Sequence, residues 1–187
     1  MAGGIPPYVF APYVSGSWYP NYCLALGTAT PTTGKIYAYP ILVTRLHSFT
    51  KLGNWVTAGG TSSVLRFGIY ADNGSGAPGN LVLDAGTATA VTGAAAASGV
   101  FSQALSPGLY WLAIVVNSTS GAPTLTTDAT TRASVVLGQT GVTAAQGQSQ
   151  GYQTTGTSTT GPLPATFPAS AVNVPGTNTI PLVLIQA

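Results

Sequence analysis

Glycine and proline punctuate this chain from end to end, supplying 24 and 14 of its 187 residues. In a helix interior they cost about 1 and about 3 kcal/mol relative to alanine. The chain contains no glutamate, and no stretch carries the Ala/Glu/Lys/Leu/Arg repeat of a helical bundle or coiled coil. Whatever core forms must therefore be built from short extended segments joined by turns.

Charge is the second constraint. Charged residues make up 4% of the chain, as five Lys/Arg and three Asp, against roughly 25% in an ordinary globular protein. Lys35, Arg45, Lys51, Arg66 and Arg132 lie far apart and form no cluster able to neutralise phosphates. Nucleic acid is thus not an expected partner. Disorder is not expected either, because the chain is 45% hydrophobic with a mean hydropathy of +0.34. The longest strongly apolar run, 109–116, has strand length and is too short to span a bilayer. The first residues show neither the cationic nor the apolar region of a secretion signal. Cys23 is the single cysteine, so no internal disulfide forms. The expectation is a soluble chain made in a cytoplasm. Its surface of Ser, Thr, Gly, Ala, Asn and Gln offers little charge repulsion, which suits close packing against copies of itself or other proteins. The plainer alternative is a monomer kept soluble by those same residues.

Residues 1–34 lack any period and interleave prolines with Tyr8, Phe10, Tyr13, Trp18, Tyr19 and Tyr22. This composition predicts an extended arm whose aromatics mark contact surface. Tyr8, Phe10, Tyr13, Trp18 and Tyr19 are the candidate attachment residues, with residues 1 to about 17 ordered by a partner. The competing reading folds the arm back over a sheet edge of its own domain.

From residue 35 onward the pattern is β. Segment 35–45 is β-branched and aromatic, with Pro40 suggesting an edge or a bulge. Segment 63–70 alternates, placing Leu65, Phe67 and Ile69 on one face, and 80–84 places Leu81 and Leu83 together. Further strands are expected over 99–105, 134–137 and 179–185. Segment 109–116 is apolar at every position, as in a central strand buried on both sides. Phe67, Ile69, Tyr110, Trp111 and Ile114 are the candidate core, with Trp111 filling the space between two sheets. The stretch 138–168, rich in Gly, Thr, Ser and Gln, is either a long loop or a weakly structured insertion. The fold class is all-β, an antiparallel β-sandwich.

Two runs together resemble a module of tailed-bacteriophage structural proteins, found more loosely in bacterial extracellular domains. They are RFGIYADNGSGAPGNLVLDAG at 66–86 and LSPGLYWLAIVV at 105–116, with GPLPATFP at 161–168 similar to the end of the phage versions. The resemblance spans about 35–187. It implies a jelly-roll-like sandwich in a virion, as a capsid decoration or cement protein or a head-fibre subunit. The implied partners are copies of the chain, with a trimer as the expected oligomer, and other virion proteins such as the major capsid protein. The alternative is a tail-fibre or receptor-binding module for a host surface glycan, with Trp18, Tyr19, Trp55 and Tyr152 as aromatic platforms. A secreted bacterial adhesin module is a third reading, weakened by the missing signal.

Catalysis is not expected. Asp72, Asp84 and Asp128 are the only acids, and Asp72 looks like a turn residue and Asp84 like a strand-end residue. His47 is the only histidine, and its neighbour Ser48 points to the opposite face of a strand. No metal-ligand spacing, cofactor fingerprint or phosphate loop appears, so no cofactor or metal is expected. Asn73 and Asn117 open glycosylation sequons but read as turns. Circular dichroism should show helix below about a fifth of residues, where soluble proteins average near a third; a larger share would overturn the all-β reading.

Overall fold

A computed structural model describes residues 13–20, 26–60, 62–118, 121–128, 149–155, 161–175 and 180–187. Among these residues every regular element is a strand, and all pairings are antiparallel. The first sheet is built from β3 (Ile36–Val43), β6 (Val64–Asp72), β7 (Pro78–Thr89), β10 (Gly108–Asn117), β12 (Ser149–Gln153) and β13 (Val172–Pro175), in the order β13-β12-β3-β10-β6-β7. The second contains β1 (Trp18–Tyr19), β2 (Leu26–Ala29), β5 (Lys51–Ala58), β8 (Ala94–Ala97), β11 (Thr124–Asp128), β14 (Ile180–Pro181) and β15 (Leu184–Gln186). Its path runs β1-β15-β5-β11-β14, with β2 on β11 and β8 on β5. A short pair, β4 (His47–Phe49) with β9 (Gln103–Leu105), stands apart from both.

The alternation of side chains decides how these layers stack. On β10, Leu112, Ile114 and Val116 join the main core, while Trp111, Ala113 and Val115 join a second cluster on the other face. On β3, Tyr37, Tyr39 and Ile41 divide from Ile36 and Ala38 in the same way. Leu65, Phe67 and Ile69 of β6 share the main core, as their spacing predicts. That core is completed from the second sheet by Leu52, Val56, Leu125, Ile180 and Ile185. Across it, Tyr39 on β3 donates a hydrogen bond to the fully buried carboxylate of Asp128 on β11.

Within the second sheet, β5 changes partner along one edge, from β15 at residues 51–53 to β11 at 56–58. Asn54 sits at the change-over. Its Nδ2 donates to Thr126 O at 2.8 Å and to Leu182 O at 2.6 Å, supplying the fork with hydrogen bonds the strands cannot make there.

Several expectations need correction. Trp111 is fully buried, but on the outer face of the six-stranded sheet rather than between the sheets. Tyr110, expected in the core, is only half-buried against its margin. Leu83 packs on the main core and Leu81 on the second cluster. The cause is a bulge: Ile69 pairs with Leu83 but Tyr70 with Leu81, so the extra residue Val82 inverts the faces. The strand expected over 99–105 shortens to β9, and that over 179–185 divides into β14 and β15. Pro40 lies inside β3, yet β12 meets β3 only at Tyr37 and Ala38, so among the described residues its missing N–H leaves no ladder bond unmade there. Within 138–168, β12 and the segment 161–168 are ordered parts of the domain. The 134–137 strand lies outside the described residues.

The arm is corrected too in its described part. Trp18 and Tyr19 form β1 on the edge of β15. Gly16 N donates to Ala187 O at 2.7 Å, Ala187 N to Ser17 O at 3.1 Å, and Gln186 Nε2 to Gly16 O at 2.9 Å. Tyr13 packs edge-on against Tyr19 and Phe49, and β2 pairs along β11. The physical reason is that β15 and β11 expose rows of backbone groups that need partners, and the N-terminal chain supplies them. No boundary separates residues 26–34 from the sandwich. Tyr8 and Phe10 lie outside the described residues.

Two outcomes follow. Trp111→Ala should lower the unfolding free energy by about 3–5 kcal/mol, read from urea denaturation; an unchanged midpoint would mean the indole is not buried. Deleting residues 1–16 should lower the melting temperature, because it removes Tyr13 and the Gly16 bonds; unchanged melting would restore the detachable arm.

Candidate functional site

The second cluster needs a cover, and the segment 161–168 provides it as a strap. Leu163 and Phe167 insert among Ile36, Ala38, Tyr70, Trp111, Ala113 and Val115. Leu163 lies over Gly68, where a Cβ would overlap Leu163 Cδ1 and approach Leu83 O to 2.8 Å. Glycine is thus required here for close approach. Phe167 meets Tyr70 edge-on, with centroids 5.1 Å apart. Tyr70 Oη donates to Pro164 O at 3.0 Å, Leu81 N to Ala165 O at 2.8 Å, and Phe167 N to Gly79 O at 2.8 Å.

One ion pair anchors the strap's start. Arg66 Nε donates to Asp84 Oδ1 at 2.9 Å and Arg66 Nη2 to Asp84 Oδ2 at 2.8 Å. The same carboxylate accepts Leu163 N–H at 3.0 Å and Gly86 N–H at 3.2 Å. Gly86, at φ +79°, follows the extra residue Ala85 between the Phe67 and Gly68 pairings, and this second bulge sets the local bend beside Asp84. Burial alone would raise the Asp84 pKa. The bonds from Arg66, Leu163 and Gly86 outweigh it and hold the carboxyl below its ordinary value. Tyr70 is pushed well above the usual phenol range, first by burial and then by the Asp84 charge.

Beside the strap lies a groove of about 570 Å³, lined among others by Asp72, Asn73, Asn80, Tyr152, Thr166 and Phe167. Its floor is organised by Trp111, whose Nε1 donates to Asp72 Oδ1 at 3.0 Å. Asp72 Oδ2 accepts Gly74 N–H at 2.8 Å, which forms the turn expected there. Tyr152 stands against Trp111, centroids 5.3 Å apart and planes at 83°.

A second groove, of about 230 Å³, lies on the outer face of the other sheet. Trp18 and Trp55, 36% and 48% exposed, line it above a floor of Gly53, Ala95, Ala97 and Leu184. Gly53 leaves room for the Trp18 ring, which would stand 3.2 Å from a Cβ at that position. In comparisons with known proteins, no family model matches the chain and no curated protein is significantly similar to it.

The structure therefore brings Trp18 and Trp55 together, and separates both from Tyr152. Tyr13 turns inward to Phe49 and His47 and Tyr19 packs edge-on against it, with the Arg45 guanidinium 5.5 Å over the Tyr13 ring. His47 is half-buried in that aromatic group and its Nε2 has no hydrogen-bond partner among the described residues, while Ser48 is exposed. Among the described residues no three His, Cys, Asp or Glu side chains gather to hold a metal ion. Sequence spacing gave no sign of the Trp111–Asp72 and Arg66–Asp84 pairs, since each joins residues from different strands.

The Asp84 geometry fixes a pH dependence. A carboxyl whose folded pKa lies below its unfolded value, about 3.9, contributes stability that is complete above that value. The contribution is lost as pH falls through the folded value. Urea midpoints of the wild-type chain should therefore drop below pH ~4 more steeply than those of Asp84→Asn, which should already be lower at neutral pH. Parallel curves would remove Asp84 as the strap's anchor.

Proposed function

We propose that this chain is a non-enzymatic structural subunit that assembles with copies of itself, and with other proteins of a larger particle, through uncharged surfaces. The observation that carries the reading is the tryptophan groove: two half-exposed indoles on the outer face of a sheet, above a floor of Gly, Ala and Leu. Tryptophan is enriched at interface centres, where a desolvated indole contributes much of the binding energy. Val14, Leu26, Leu42 and Leu46 add further exposed apolar surface. A second copy is the favoured occupant, because a surface with so little charge sets up no repulsion between identical patches.

The particle we propose is a tailed-phage virion, with the chain as a capsid decoration, cement or head-fibre subunit of jelly-roll type. This part rests on the resemblance of 66–86 and 105–116 to phage modules. Among the described residues Asp72, Asp84 and Asp128 and most of the aromatics serve the cores and turns, which is consistent with that role.

Light scattering on a size-exclusion column should show an oligomer that persists in about 1 M NaCl, where exposed ion pairs are screened. Trp55→Ser should weaken association at least about tenfold, a loss of about 1.4 kcal/mol, with melting of the fold unchanged. A monomer at all concentrations, or an oligomer dissolved by salt, would overturn the packing-driven reading.

A further inference from the structure

We infer that the groove beside the strap is a binding site for a neutral sugar ring, separate from the tryptophan groove. Its volume of about 570 Å³ lies within the range of small-ligand sites. Its lining contains the Asp72 carboxylate, the Asn73 and Asn80 side-chain amides, the Thr166 hydroxyl and the Tyr152 phenol.

The hydrogen bonds already made define what the site offers. Asp72 Oδ1 accepts the Trp111 Nε1–H, and Oδ2 accepts the Gly74 N–H and, at 3.4 Å, the Gly76 N–H, so the carboxylate is a fixed acceptor with one lone pair of Oδ1 to spare. Asn73 Oδ1 accepts Ser75 N–H at 2.8 Å, and Asn80 Oδ1 accepts the Thr166 hydroxyl at 3.2 Å. Both amides are thereby oriented with their oxygens engaged, which leaves Nδ2 of each as a donor. An acceptor flanked by donors matches vicinal hydroxyls, each of which donates and accepts. Tyr152, braced against Trp111, supplies an apolar surface for the C–H face of a pyranose.

Charge narrows the ligand class. The lining contains Asp72 and no Lys, Arg or His. A phosphorylated or carboxylated sugar would meet a like charge with no cation to offset it. A neutral hexose or N-acetylhexosamine meets no such cost. Trp111 is a positioning residue: it orients Asp72 and backs Tyr152 without entering the lining.

The test is saturation-transfer NMR on the full chain with five separate probes: methyl glucoside, methyl mannoside, methyl galactoside, N-acetylglucosamine and N-acetylneuraminic acid. At least one neutral probe should show transfer at about 5 mM, the concentration suited to a millimolar site. Asn73→Ala and Asn80→Ala, at exposed positions that leave the Asp72–Trp111 bond in place, should each reduce that transfer at least about fivefold. Trp55→Ser should leave it unchanged, which separates this site from the assembly surface. No transfer from any neutral probe, transfer from the acidic sugar alone, or transfer insensitive to both amide variants would overturn the proposal. So would loss of transfer in Trp55→Ser, which would move the sugar to the tryptophan groove.

Discussion

The six-stranded sheet is apolar on both faces at its centre, and the rest of the molecule is arranged around that fact. β10 alone buries six consecutive side chains, Trp111 to Val116, three on each face. A sheet with one wet face would leave Trp111, Ala113 and Val115 in water. Burying a large apolar side chain is worth about 1.5–3 kcal/mol, so both faces demand a cover. The seven-stranded sheet covers one. The strap at 161–168 covers the other, and in doing so creates the groove along its margin.

Scarcity of charge shapes how this cover is fastened. Among the described residues one ion pair, Arg66–Asp84, serves the strap, and its carboxylate also receives two backbone N–H groups. The remaining fastenings are backbone bonds, the Tyr70 hydroxyl and the Thr166–Asn80 side-chain bond. Asn54 performs the equivalent task in the other sheet, where β15 gives way to β11. Each of these polar groups satisfies backbone that would otherwise be buried without a partner. Little charge is left over for the surface, which suits the proposed assembly through packing.

The two grooves differ for the same reason. The tryptophan groove lies where β5 and β8 present glycine and alanine, so nothing fills the space beside the indoles. The strap groove lies beside the Asp72 turn, where hydrogen-bonding residues are needed to reverse the chain. Turn chemistry placed beside a buried tryptophan leaves oriented polar groups around an aromatic wall.

The all-β class, the central position of 109–116 and the inward face of Leu65, Phe67 and Ile69 were legible in the sequence. These depend on local period and on glycine, proline and glutamate usage, which neighbours in sequence report directly. The Asp72 turn was legible for the same reason, since Asp72 bonds Gly74 two residues on. Alternation also shows that Trp111 lies opposite Leu112, but not which face meets the second sheet. That was decided by the strap, some fifty residues away in sequence. The faces of Leu81 and Leu83 turned on a bulge that only strand pairing reveals. Whether Tyr13, Trp18 and Tyr19 reach outward or fold back depended on the open edge of β15, formed by the chain's last residues. Periodicity is local, and so the sequence determined which segments are strands and which carry apolar faces. Pairing and coverage join distant segments, and only the tertiary structure decided which faces meet, which aromatics are shared with solvent, and where the grooves open.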